Sequence, residues 1–204
     1  SVDELLYAAT LTQDNARKEA IYKKTVQLYP NDYRAYNNLG MMAYAAGDKA
    51  AAENYFKQAA SKSSNAAEVN TNLGLCELVK GNVANAETYL SKSTGANTAN
   101  EALGNLYIKQ GQYDRAVQAF GDTKTNSAAL AQILAKDYNK AKNTLNAVKN
   151  PDAYTDYLMA VVGARTNNAD LVKSSMAKVA QKDAALAASA QNDREFAKYA
   201  NEIK

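Results

Sequence analysis

The sequence predicts an all-α fold in which antiparallel helix pairs stack into a solenoid, and two observations carry this prediction. The first is that the 204 residues include only two prolines, Pro30 and Pro151, and both lie between segments with helical periodicity. The second is a recurring pattern of small residues. Residues 36–59 read YNNLGMMAYAAGDKAAAENYFKQA, residues 70–93 read NTNLGLCELVKGNVANAETYLSKS, and residues 100–123 read NEALGNLYIKQGQYDRAVQAFGDT.

Each of these three segments contains Leu-Gly, then Gly seven residues later, Ala five later and a large apolar residue four later. In the first segment these positions are Gly40, Gly47, Ala52 and Phe56, and the Leu-Gly pair recurs at Gly74 in the second segment. Because small residues let two backbones approach closely, we expect Gly40 and Ala52 to face each other where the two helices of a pair cross. We expect Gly47 to end the first helix with a positive φ.

This pattern resembles the tetratricopeptide repeat (TPR), a helix–turn–helix unit of about 34 residues. The resemblance implies a TPR-like α-solenoid, a right-handed superhelix of helix pairs, and we expect residues 1–204 to form one such domain. Its parts would be a degenerate repeat, three clear repeats, a shortened repeat, a degenerate repeat and a C-terminal cap. Their ranges are 1–32, 33–66, 67–96, 97–123, 124–150, 151–181 and 182–204.

Three features predict departures from a regular array. The second-helix small residues Ala116 and Ala141 are more closely spaced along the chain than those of the earlier repeats, so only a short helix fits within 126–135. Val172 occupies a place where a small residue is expected, which predicts a looser helix crossing. In the cap, we expect Phe196 and Tyr199 to cover the last hairpin. The chain begins in helix-forming sequence without an initiator Met, and we therefore expect a fragment of a larger protein or a processed product.

The residue types argue against an enzyme. The chain has no His, which removes the commonest general base and a common metal ligand. Cys76 is the one cysteine, and without a base to activate it we expect a small buried hydrophobic residue. The glycines do not form a phosphate-binding loop, and the acidic residues lack the spacing of a calcium loop. The sequence thus predicts no catalytic residue, no cofactor and no metal.

The charge and hydropathy patterns limit the kinds of partner that we expect. The net charge is +3, from 24 basic and 21 acidic residues that are scattered along the chain, which does not favour nucleic acid or anionic lipid. No apolar run approaches the roughly 20 residues that a membrane span needs, so direct membrane insertion is not expected. Binding of a protein or peptide is the remaining prediction.

The TPR resemblance implies where a partner would bind, because the first helices of the repeats line the concave face. Asn38 and Asn72 hold the same position in successive repeats, and such amides can hydrogen-bond an extended peptide. The alternative is that these positions, and the tyrosines among them, pack between helices. The candidate peptide-binding residues are Arg34, Asn37, Asn38, Met41, Tyr44, Asn72, Leu75, Asn105, Lys109, Tyr154 and Tyr157.

One ligand class is not expected. TPR clamps for the C-terminal carboxylates of chaperones use Lys or Arg at inward positions, and this sequence has Asn37, Met41, Thr98 and Ala102 there. The leading hypothesis is a non-enzymatic interaction scaffold with a ligand on the concave face. The alternative function is a structural spacer in a multidomain cell-envelope protein, with no groove ligand.

Three segments suggest a location. NEALGNLYIKQGQYDRAV, SAALAQIL and DREFAKY resemble TPR segments beside OmpA-like domains in Gram-negative envelope proteins. This resemblance implies an extracytoplasmic protein, in the periplasm or cell envelope, and the cytoplasm is the alternative.

Overall fold

A computed structural model describes residues 1–93 and 95–203. These residues form α-helices and a 3₁₀ helix and contain no β-strand, so the all-α prediction is confirmed. The chain divides into two compact units, Ser1–Ala102 and Leu103–Lys204, which have separate hydrophobic cores. Thr94 and Lys204, which the sequence assigns to the second clear repeat and to the cap, lie outside the described residues.

The first unit consists of three helical hairpins and the beginning of a further helix. Its helices are α1 (Val2–Leu11), α2 (Asn15–Leu28), α3 (Tyr33–Ala45), α4 (Lys49–Lys62), α5 (Ala67–Lys80), α6 (Val83–Ser91) and the start of α7 (Asn97–Lys109). We call α1, α3 and α5 the first helices of this unit, because each is the N-terminal helix of its hairpin.

The second unit contains the end of α7, two further hairpins and the C-terminal segment. Its helices are α8 (Tyr113–Phe120), α9 (Asn126–Leu134), α10 (Tyr138–Asn146), α11 (Ala153–Arg165), α12 (Ala169–Lys182), α13 (Ala184–Ala190) and the 3₁₀ helix (Arg194–Tyr199). The nine-residue α9 is short, as the close spacing of Ala116 and Ala141 predicts. None of the helices that the structure describes is both long and apolar enough to cross a membrane.

The turns of the hairpins follow from local sequence. Asp32 and Asp48 cap α3 and α4, and their carboxylates accept hydrogen bonds from backbone N–H groups of the first turn. Gly47 follows α3 with a φ of +85°, as predicted. In the α9–α10 and α11–α12 hairpins the corresponding positive φ falls on Lys136 and Asn167, at +65° and +54°. Only glycine adopts this conformation without strain, and Asn tolerates it better than Lys does.

Small residues bring the helices of a hairpin close together, and a large side chain lies beside the glycine at the crossing. A Cβ atom on Gly40 would lie 2.5 Å from the ring of Phe56, and the atoms nearest to that position are all Phe56 atoms rather than atoms of Ala52. A Cβ atom on Gly74 would lie 2.6 Å from the side chain of Leu90 and 3.4 Å from the backbone oxygen of Ala86, the small residue that corresponds to Ala52. The large residue one helical turn after the Ala therefore fills the space above the glycine, and the buried Ala52 lets the backbones approach.

The α11–α12 hairpin differs from the sequence-based expectation for Val172. Val172 does not loosen the helix crossing, because the close approach is made at Gly163, three residues after Ala160. A Cβ atom on Gly163 would lie 3.0 Å from the backbone nitrogen of Val172. The small residue has therefore moved by three positions along α11, which keeps it on the same helical face.

The C-terminal segment caps the second unit as predicted. Phe196 and Tyr199 are 1% and 5% exposed, and both belong to the core cluster that contains Leu158, Val162 and Met176. A helical repeat array needs such a cover, because the apolar face of a terminal hairpin would otherwise contact water.

Candidate functional site

Polar contacts join the first helices of the first unit side by side. Arg34 on α3 donates from Nη1 to Oδ1 of Asp3 on α1 at 2.7 Å, and from Nη2 to Oδ2 of Asp32 at 2.7 Å. Asn72 on α5 donates from Nδ2 to Oδ1 of Asn37 on α3 at 2.9 Å. These contacts join α1 to α3 and α3 to α5, so the three helices share one surface. We call this surface the first-helix face.

The charges in this network are held in their ionised forms. The side-chain hydrogen bonds from Arg34 lower the pKa of Asp32 below its ordinary value. In turn, hydrogen bonds to Asp32 and Asp3 raise the pKa of Arg34. The guanidinium of Arg34 is thus already occupied by two carboxylates, and its side chain is 38% exposed.

The first-helix face also carries a group of exposed apolar side chains. Their exposed fractions run from 44% to 66%, which is unusual for large apolar residues. These side chains lie on one helical face, and Tyr7 and Met41 hold the same position in successive repeats. We call the group the apolar band, and it consists of Tyr7, Leu11, Met41, Tyr44 and Val79.

The apolar band stands out against the rest of the molecule. Among the described residues, the only other large apolar side chains with comparable exposure are Leu28, Val83 and Tyr154. Leu28 ends α2, Val83 begins α6 and Tyr154 lies in the second unit, so none of them extends the band.

The candidate peptide-binding residues of the first unit differ in how exposed their side chains are. Met41 and Tyr44 are exposed, while Asn38 and Leu75 are half-buried and Arg34 is engaged as described. Asn37 is 8% exposed and is bound to Asn72. These two amides therefore hydrogen-bond each other between repeats, and Asn37 is not open to a partner.

Three residues of the apolar band were missed by the sequence analysis, which assigned no binding residue to α1. Tyr7 lies one repeat length before Met41, and Leu11 lies two repeat lengths before Val79. The repeat period itself was thus the signal for all three. It could have been extended backwards across the degenerate first repeat.

The predicted residues of the second unit behave differently from those of the first. Asn105 and Lys109, near the end of α7, are exposed. Tyr154 and Tyr157 on α11 stack with their ring centroids 6.0 Å apart. Tyr154 is 39% exposed and Tyr157 is half-buried.

The C-terminal segment covers part of α11. Tyr157 donates a short hydrogen bond from its hydroxyl to Asp193, and its ring meets the edge of Phe196 at a centroid distance of 5.6 Å. Arg165 donates to both carboxylate oxygens of Glu195, with Nη2 at 2.8 Å from Oε2. Burial and then the Asp193 hydrogen bond raise the pKa of Tyr157, and the same hydrogen bond lowers the pKa of Asp193.

A small cleft of about 110 Å³ adjoins the apolar band, and Tyr44, Val79 and Cys76 contribute to its walls. Cys76 is 8% exposed, as predicted, and burial raises the pKa of its thiol. A raised pKa disfavours the thiolate, which is the nucleophilic form. The part of the chain that the structure describes contains no cluster of three or more side chains suited to a metal ion.

Comparison with known proteins places these features in a family. Two family models, both described as tetratricopeptide repeat, match the chain: one at residues 13–67 and 43–102, the other at residues 101–124. Together they span more than half of the sequence. No curated protein sequence matches the chain.

Several solved structures are similar in fold at low sequence identity. YrrB, described as a TPR protein with an unusual peptide-binding site, is 18% identical with a TM-score of 0.67, and the match covers 84% of this chain and 98% of YrrB. PilF from Pseudomonas aeruginosa is 14% identical with a TM-score of 0.73, over 98% of this chain and 97% of PilF. PilW, described as a type IV pilus biogenesis factor, is 19% identical with a TM-score of 0.65, over 97% of each chain.

The repeated hairpins and the family matches define a helical-repeat fold of the kind that generally serves as a protein-interaction scaffold, and the solenoid fold class predicted from the sequence is confirmed. Proteins of this class are typically non-catalytic. The chain belongs to the tetratricopeptide repeat family.

Proposed function

We propose that this chain is a non-enzymatic protein-interaction scaffold that binds a segment of a partner protein on the first-helix face of its first unit. In the family this face is the concave one. The apolar band carries the proposal, because five large apolar side chains on three neighbouring helices are left in contact with water. Exposed apolar side chains grouped on neighbouring helices are typical of interaction sites. YrrB, described as a TPR protein with a peptide-binding site, supports peptide binding as a use of this fold.

We assign the anchoring contacts to Met41 and Tyr44, supplemented by Tyr7, Leu11 and Val79. Aromatic side chains and Met are over-represented at interface cores, because they bury much area with few polar atoms. The half-buried Arg34, Asn38 and Leu75 would border the bound segment. Asn105, Lys109, Tyr154 and Tyr157 remain candidates for contacts made by the second unit.

The same residues support the proposed exclusion of carboxylate-clamp and nucleic-acid ligands. Both ligands need free cations that converge on one surface. On the first-helix face Arg34 is already bound to Asp3 and Asp32, and Met41 and the buried Asn37 stand where a clamp has Lys or Arg.

Site-specific photo-crosslinking in the native cell tests the proposal. A photoreactive amino acid would replace Met41 in one variant and Leu28 in a matched control, since Leu28 is 57% exposed but lies on α2. We expect a partner protein to be crosslinked from position 41 and not from position 28. Circular dichroism would check that both variants fold.

The two alternative outcomes have separate meanings. Crosslinking of one partner from position 28 only would move the binding surface to the second helices. Absence of a crosslinked partner at position 41 and at three further band positions would favour the structural spacer.

We further propose an extracytoplasmic location. The resemblance of the C-terminal segments to TPR segments of envelope proteins supports this proposal, and the description of PilW as a type IV pilus biogenesis factor agrees with it. Fractionation of native cells with an antibody against the chain tests it. Recovery with cytosolic markers would favour the cytoplasmic alternative.

A further inference from the structure

A cleft of about 250 Å³ lies in the second unit, between α10, α11 and α12. Its apolar walls include Leu145 of α10, Met159 of α11 and Leu171 of α12. Leu145 is buried, whereas Met159 and Leu171 are only half-buried and keep surface that a ligand could cover. The volume is below the range of about 300–1,000 Å³ that is typical of small-molecule sites, so the cleft suits one large side chain of a protein segment better.

Two unpaired lysines stand on the walls of this cleft. Lys142 of α10 and Lys178 of α12 both line it, and both are exposed. Neither takes part in the ion pairs that the described residues form. Neither lies in the last turn of its helix, where the helix dipole would favour a cation. We call the cleft with these two lysines the basic cleft.

The carboxylate in the basic cleft is already paired. Among the described lining residues Asp156 is the one acidic side chain, and it is 14% exposed. It accepts a hydrogen bond from Nζ of Lys182 at 2.6 Å, and Lys182 also donates to the backbone oxygen of Pro151 at 3.2 Å. The charges of Asp156 and Lys182 therefore offset each other, and the positive charges of Lys142 and Lys178 remain.

Exposed lysines are common on protein surfaces, so they alone would not indicate a ligand. A cleft of about 470 Å³ in the first unit, between α2, α3 and α4, provides a comparison. The charged residues on its walls are Glu19 and Asp48, and no lysine is among the described residues that line it. An apolar cleft with unpaired lysines is therefore a feature of the α10–α12 region and not of every pair of stacked hairpins.

We propose that the basic cleft is a second interaction surface, which binds an acidic segment of a partner protein. One large apolar side chain of that segment would cover Met159 and Leu171, and carboxylates beside it would meet Lys142 and Lys178. Nucleic acid fits less well, because a sugar–phosphate backbone leaves the apolar walls uncovered. This proposal goes beyond binding on the first-helix face, which uses other helices.

Three short synthetic peptides test the chemistry. The first, the Glu–Phe peptide, has a central Phe flanked by Glu. The second replaces each Glu by Gln, and the third replaces the Phe of the first by Ser. Fluorescence anisotropy measures their binding to the full chain. We expect the Glu–Phe peptide to bind at least about fivefold more tightly than either of the others, and its advantage over the Gln peptide to shrink at high salt.

Matched charge reversals assign the binding to the cleft. The double variant Lys142→Glu/Lys178→Glu should weaken the Glu–Phe peptide at least about tenfold, because two attractive charges become repulsive. The control Lys140→Glu/Lys173→Glu makes the same charge change at exposed positions of α10 and α12 that do not line the cleft, and should leave binding within about twofold. Circular dichroism would check that both variants fold.

A third variant tests the apolar part of the cleft. Ser174 is exposed on the cleft wall, so the ring of Ser174→Phe would fill the cleft without removing a core side chain. We expect this variant to weaken the Glu–Phe peptide to the level of the Ser peptide. Unchanged binding would place the Phe of the peptide elsewhere and overturn the proposal.

The outcomes also separate this inference from the proposed function. Met41→Glu should leave binding of the Glu–Phe peptide unchanged, and loss of binding in this variant alone would move the peptide to the first-helix face. Equal binding of the three peptides, equal loss in the two double variants, or no binding of the Glu–Phe peptide at about 1 mM would overturn the inference. Tighter binding of a single-stranded oligonucleotide that depends on Lys142 and Lys178 would overturn it in favour of nucleic acid.

Discussion

The first helices of the two units differ in whether their apolar side chains are exposed or covered. In the first unit, α1, α3 and α5 leave Tyr7, Met41 and their neighbours in contact with water. In the second unit, the chain's own C-terminal segment lies on α11 and buries Phe196 against Tyr157. The hairpin architecture is shared, so the difference lies in the exposed side chains of the first unit and in the C-terminal segment that covers α11.

The largest expected effect in this comparison is the loss of the C-terminal cover. Phe196→Ala should lower the free energy of unfolding by about 3–5 kcal/mol, because a 1%-exposed aromatic side chain is replaced by a cavity. Denaturant unfolding followed by circular dichroism measures the loss. Amide hydrogen exchange should show it confined to the second unit, because repeat proteins transmit stability through neighbouring contacts. Faster exchange in α1–α4 at the same time would contradict this separation.

The second effect concerns the hairpin beneath the open face. Gly74→Leu should destabilise the chain by about 1–3 kcal/mol, because its Cβ alone would lie 2.6 Å from Leu90 and 3.4 Å from the backbone oxygen of Ala86. Thermal unfolding measures the change. Unlike Phe196→Ala, this variant should speed exchange in α5 and α6 and leave the 3₁₀ helix protected. An unchanged melting temperature would show that the two helices can separate without cost.

Gly74 and Phe196 show most clearly how much of the structure could be predicted from the sequence. The position of Gly74 was predictable because a crossing point needs a small residue, and the Leu-Gly repeat marks it. Phe196 was predictable because a terminal hairpin needs an apolar cover. Both predictions depend on chain-local spacing and on a general need to bury apolar surface.

The features that the sequence analysis missed depend mainly on contacts between repeats. Asn37 and Asn72 bind each other because of the stagger between α3 and α5, and no pattern within one hairpin specifies that stagger. The sequence analysis missed Gly163 because the repeat pattern places the small residue of the helix crossing at Ala160. Gly163, on the same helical face, makes the close approach instead. The attachment of Asp193 and Glu195 to α11 depends on the path of the tail after α13, which local periodicity does not encode.

A smaller effect tests the polar part of the cap. Tyr157→Phe removes the hydroxyl that donates to Asp193, which should cost about 0.5–1.5 kcal/mol at neutral pH. The pKa of Asp193 is lower in the folded chain than its ordinary value of 3.8. The contact therefore stabilises the fold above that pH, and its contribution is lost as the pH falls through the folded pKa.

The pH dependence gives this prediction its control. The stability difference between wild type and Tyr157→Phe should be largest at neutral pH and should shrink as the pH falls below about 4 and then through the lowered pKa of Asp193. Urea unfolding at a series of pH values measures it. A difference that stays constant down to about pH 2 would assign the cost to packing of the ring rather than to the Asp193 contact.

The smallest expected effect decides whether the first unit's face is open. Tyr7→Ser and Leu11→Ser should change the free energy of unfolding by less than about 0.5 kcal/mol, since both side chains are about two-thirds exposed. The same denaturant assay that detects the loss in Phe196→Ala measures them. A loss above about 1 kcal/mol would mean that these side chains shield the core and that the two units do not differ. A negligible loss would mean that the fold does not need the apolar side chains of α1 for its stability, as the open face requires.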